Sequence, residues 1–146
     1  MSMTILNLFG KKGDKASRLN AAFEEKVGTF FSKVTNDSRW DINNEGLFIA
    51  FGMELYGYSF GVGQSFFFVN EEDINNYIIK LLISIGGGEK YVQGLVEYAH
   101  STFHKEDKGL YSQLVNIGWQ HFSDSNLEDL VNSIFANAEV VKQAVR

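Results

Sequence analysis

The chain contains no cysteine and no proline. Without cysteine there is no disulfide framework, no thiolate zinc site and no cysteine nucleophile. That usage fits a reducing compartment, and the cytoplasm is the expected one. Without proline nothing breaks helix interiors, because proline removes a backbone donor and clashes with the preceding turn. The 14 glycines then mark turns and helix ends. No uncharged apolar run reaches the roughly 18 residues a membrane span needs. The opening "MSMTILNLFGKKG" places its basic residues behind a short apolar run, the reverse of a secretory signal.

What is present suits one packed domain. The chain has 146 residues and is 45% apolar, enough to bury a core without covalent staples. The net charge of −5 is unevenly spread. Residues 1–40 hold seven Lys/Arg and four acids, a balance of +3; residues 41–146 hold six and fourteen, a balance of −8. An acidic body repels nucleic acid and attracts basic partners. The basic stretch "KKGDKASR" at 11–18 is too short for a nucleic-acid footprint and reads as a solvated tail.

Hydrophobic periodicity predicts helices almost throughout. From Asp14, a candidate cap, the residues Ala16, Leu19, Phe23, Val27, Phe30 and Val34 share one helical face. "TNDSRWDINN" reads as a loop. "EGLFIAFGMELYGYSF" is apolar on all sides and long, as a central helix would be, and Gly61 and Gly63 should break it. "SFFFV" then forms either a short strand or one buried turn. Asn70 reads as an N-cap, followed by Glu71, Glu72 and Asp73 in the first turn, where acids suit the helix dipole. Ile74, Tyr77, Ile78, Leu81, Leu82 and Ile85 form an amphipathic stripe that ends at "GGG". Three more helices follow, carried by Val92 to Phe103, by Leu110, Leu114, Ile117 and Trp119, and by Leu127 to Val141. Ser125 and Glu128 fit a capping box at the last. The expectation is an all-α single domain of about six helices over residues 14–146, behind a tail at 1–13. One short extended segment is allowed near 64–69.

Motifs for chemistry are sparse. In "EYAHSTFH" His100 and His104 share a helical face, with Glu97 one turn before them. A zincin helix would need Glu where Ser101 stands. A di-iron carboxylate site would need a second Glu-x-x-His helix. Two imidazoles and one carboxylate without a partner helix predict no bound metal, and no cofactor is expected. No G-x-S-x-G elbow or phosphate-binding loop occurs. The acid pairs fall on polar faces or at helix starts, where solubility and the helix dipole account for them.

The stretch "GVGQSFFFVN" and its flanks resemble the C-terminal domain of a bacterial DNA-mimic protein family. That family carries an "NGGF…Q-F/Y-F/Y-x-N" block after an apolar helix. Here Leu47 to Tyr58 would be the helix, and Gly61, Gly63, Gln64, Phe67, Phe68 and Asn70 the block. Ile85 and Gly86 would end the following helix, and Ala99 and Phe103 lie on the one after it. The resemblance spans residues 47–104. Size and acidity are also similar to those of small immunity proteins that neutralise bacterial toxins.

On this reading the glycines and aromatics form a structural plug, and function lies on the surrounding acids. The alternative for the stretch is an exposed aromatic contact surface. The expected function is non-enzymatic inhibition of a basic protein, a toxin such as a nuclease or a DNA-binding protein. Glu71, Glu72, Asp73, Glu106, Asp107, Asp124, Glu128 and Asp129 are the candidate partner-binding residues. No direct nucleic-acid or membrane contact is expected, and a homodimer is compatible with the sequence. The alternative is a small metal-dependent hydrolase using His100, His104 and Glu97.

Overall fold

The computed structural model describes residues 2–105 and 108–145. These fold into α1 (Ser2–Thr35), α2 (Glu45–Phe66), α3 (Glu71–Ser84), α4 (Glu89–His104), α5 (Leu110–Gln120) and α6 (Glu128–Val145). No strand occurs among the described residues. The domain is all-α, and the extended segment allowed at 64–69 does not form.

Helix α2 is the axis of the fold. It packs against all five other helices, and every residue from Gly46 to Gly63 is buried. That is why its sequence shows no polar face. Each large apolar side chain it buries contributes about 1.5–3 kcal/mol relative to exposure. Gly61 and Gly63 do not break it. A Cβ at Gly61 would lie 2.5 Å from Cγ of Phe122, and one at Gly63 2.7 Å from Cδ1 of Ile74. These glycines admit neighbouring side chains, and that packing offsets a helix-propensity cost of about 1 kcal/mol each. The approach to α5 is closer still. A Cβ at Gly57 would collide with the carbonyl oxygen of Val115, and one at Gly118 with that of Glu54. The two helices therefore meet backbone to backbone through a reciprocal glycine pair.

Helix α1 begins at Ser2, so Asp14 lies within the helix and not at its start. With no proline over 2–13, the helical backbone continues through the stretch whose sequence suggested a tail. From residue 15 onward its buried stripe runs through Phe23, Val27, Phe30 and Val34. Ala16 is exposed and Leu19 half-buried.

The remaining helices bury the stripes their periodicity predicts, with two differences. Trp119 is exposed, and α5 buries Val115 and Gly118 instead, because only a glycine face fits against α2. At α6 the first turn is held by Asn126, whose side chain accepts from the Glu128 backbone N–H at 2.9 Å. Ser125 stands two residues too early to cap a helix that starts at Glu128. Helix α3 ends as the sequence predicts. Gly86 has a φ of 107°, and the N–H groups of Gly86 and Gly87 return to the carbonyls of Ile83 and Leu82 at 3.0 and 3.1 Å. This pair of reversed bonds is the Schellman termination.

Candidate functional site

The short connection between α2 and α3 is where the chain departs most from routine helix chemistry. After Phe66 the backbone turns through Phe68, whose φ is 54°; among the described residues it is the one non-glycine residue with positive φ. This left-handed turn lets the Val69 N–H return to the Gly63 carbonyl at 2.9 Å and sends the Val69 side chain into the core. Asn70 then caps α3, its Oδ1 accepting from the Asp73 N–H at 2.8 Å, as expected from sequence. The aromatics divide. Phe67 packs partly against the core, whereas Phe66 is 43% and Phe68 81% exposed. The Phe66 ring lies tilted against Phe122, 5.5 Å between centroids, and Phe122 also meets the exposed Trp119. The stretch is thus part plug and part surface.

Of the predicted acids, Glu72, Asp73, Glu128 and Asp129 are exposed. Asp124 is half-buried and bonds the Nδ1 of His121. Its turn borders a hollow shared with Lys26 and Lys33 of α1, so cations of the same chain already face that side. Glu106 and Asp107 lie outside the described residues. Glu71 is not free. It faces both histidines of α4, with its Oε2 3.8 Å from His100 Nε2 and its Oε1 3.5 Å from His104 Nε2.

The sequence pairs these histidines with Glu97, but Glu97 points to solvent and does not join them. Among the described residues, Glu71, His100 and His104 form the group of metal-ligand types within mutual reach, their ligand atoms all within 4.8 Å. The fold explains the exchange. Helices α3 and α4 form a hairpin through the "GGG" turn, so the first residue of α3 meets the last turn of α4. The two elements have similar lengths, 14 and 16 residues, and that near-equality with the glycine turn was the available signal. On the core side, the Tyr56 hydroxyl of α2 lies 2.7 Å from His100 Nδ1, a contact with no sequence signature. Burial first, then the Glu71 charge, raises the Tyr56 hydroxyl above its ordinary range, keeping it protonated. Phe60 and Phe103 wall the histidines, with the His104 ring 5.7 Å from that of Phe60.

A second polar group lies deeper. Glu54 of α2 is fully buried. Its Oε1 accepts from Ser133 Oγ at 2.9 Å, and its Oε2 has no partner. Burial pushes its carboxyl up to about 8, against the opposing pull of the Ser133 bond.

No protein-family model, curated protein or solved structure matches the chain.

Proposed function

We propose that the chain is a non-enzymatic binding protein that occupies a basic surface of another protein, with the α2–α3 connection as its contact centre. The observation that carries this reading is Phe68. A left-handed backbone costs a non-glycine residue roughly 1–2 kcal/mol, and this one also presents an 81% exposed ring to water. The turn itself serves the fold by placing Val69, but the exposed ring does not, since glycine or asparagine would make the same turn at lower cost. Backbone strain of this kind concentrates where function uses it, and buried aromatic anchors dominate binding energy at interfaces.

The chemistry of the partner follows from the rim. Glu72 and Asp73 are exposed four and five residues beyond Phe68, in a body of residues 41–146 with a balance of −8. Such a field steers a cationic surface into place and speeds association. A nuclease or a DNA-binding protein offers that surface, and carboxylates can stand in for phosphates within it. We take the compartment to be the cytoplasm, on the lack of cysteine.

The test begins with the partner captured from the native host and its affinity measured with purified components. Phe68→Ala should weaken binding by about 30-fold, as loss of an interface anchor does. The double reversal Glu72→Lys with Asp73→Lys should slow association and flatten its salt dependence, since exposed charges are screened over about 8 Å at physiological ionic strength. Added DNA should compete if the occupied surface is a nucleic-acid site. Affinity indifferent to salt and to both variants would refute this reading.

A further inference from the structure

We propose that Glu71, His100 and His104 bind a late first-row divalent cation of the zinc class. The inference is independent of the partner-binding reading and uses none of the residues tested for it.

Geometry carries it. A tetrahedral ion with bonds of about 2.0–2.1 Å holds its donor atoms roughly 3.4 Å apart. Oε1 of Glu71 stands 3.5 Å from His104 Nε2 and Oε2 stands 3.8 Å from His100 Nε2, and one ligand atom from each of the three residues lies within 4.8 Å of the other two. Those separations are longer than direct hydrogen bonds, which cluster near 2.7–3.2 Å, and rotation of the half-exposed Glu71 and His104 side chains would close the set around one ion. The three donors come from two elements fixed independently. Asn70 caps the helix that begins with Glu71, and the histidines sit one turn apart on α4 with ring centroids 4.4 Å apart.

The outer shell points the same way. Ligating histidines almost always engage their other ring nitrogen, which fixes the tautomer and the ring orientation. Here His100 Nδ1 is held by the buried Tyr56 hydroxyl at 2.7 Å. With Nδ1–H donating to the tyrosine oxygen, the Nε2 lone pair faces Glu71. Two imidazoles and one carboxylate select zinc, cobalt, nickel or copper over calcium or magnesium, which prefer all-oxygen sets. The site opens outward, with the Glu71 and His104 side chains each 42% exposed. A fourth position is therefore accessible to water or to a side chain of a bound protein.

The full chain, stripped with a chelator and dialysed, is titrated with zinc chloride by calorimetry and with cobalt chloride by visible absorption. One ion per chain is expected, with a cobalt spectrum of four- or five-coordinate type and a rise in Tm on adding zinc. His104→Ala and Glu71→Gln alter half-exposed side chains and should fold normally. Each should weaken zinc binding by at least about 10-fold and abolish the Tm rise. Tyr56→Phe keeps the ligands but removes the orienting hydroxyl, and should weaken binding by about 10–100-fold. Absence of one-to-one binding to the folded wild-type chain would overturn the proposal. So would binding that survives both His104→Ala and Glu71→Gln, which would locate the ion elsewhere.

Discussion

Glu54 and Phe68 are each held in a state that costs the folded chain free energy. Glu54 prefers its neutral form when folded, with its carboxyl at about 8 against an ordinary 4.5. Between those values the native state binds more protons than the unfolded chain, so stability falls as pH rises. The slope is at most about 1.4 kcal/mol per pH unit. The penalty is absent below the ordinary carboxyl range and complete above about pH 8. Glu54→Gln should therefore be more stable than wild type at pH 8, with little difference at pH 5; urea denaturation at the two values checks it. Phe68 costs backbone strain. Asparagine tolerates the left-handed region better than phenylalanine, so Phe68→Asn should raise stability by up to about 1 kcal/mol in the same assay. It should also lose partner affinity, a trade familiar at functional positions.

At the scale of elements, the glycines decide which helices can approach. Gly57→Ala forces a methyl into the Val115 carbonyl, where no flexible side chain can yield. A loss of about 3 kcal/mol, the upper end of ordinary overpacking, is expected in equilibrium unfolding. Gly94 of α4 is the control, because a Cβ there meets nothing within 4 Å. Gly94→Ala should stabilise by about 0.5–1 kcal/mol. Periodicity made the helices with a solvent face legible: the stripes of α3, α4 and α6 are buried as their spacing dictates. It misread Gly61 and Gly63 as helix breakers because a glycine that ends a helix and one that admits a neighbour look alike in sequence. The site was half legible for a related reason. His100 and His104 announce each other at a spacing of four, but Glu71 reaches them only through the α3–α4 hairpin, and Tyr56 only through the packing of α2. The Asn70 cap was read correctly because its partner lies three residues away on the same segment.

At the scale of the whole molecule, charge and stability pull in different directions along the pH axis. The sequence pI is about 5.1, so net repulsion between copies vanishes near pH 5, where association and precipitation are favoured. Near that same pH Glu54 is mostly protonated in the folded chain, and its burial costs little beside its cost at pH 8. Solubility should thus pass through a minimum near pH 5 while resistance to urea at that pH exceeds that at pH 8, leaving other carboxylates to weaken the fold in stronger acid. Light scattering and urea titration on the same samples would separate the two.

The complete enclosure of α2 also sets how the protein opens. Detaching any one neighbour would expose part of its surface from Gly46 to Gly63, because helices packed on every side share it. Its amide protons should exchange with deuterated water only when the entire chain unfolds, whereas those at the outer ends of α1 and α6 exchange through local fraying. The slowest-exchanging peptides therefore report the global free energy directly. Substituting Glu54, in the middle of that helix, should slow their exchange at pH 8 by the same factor by which it shifts the unfolding equilibrium.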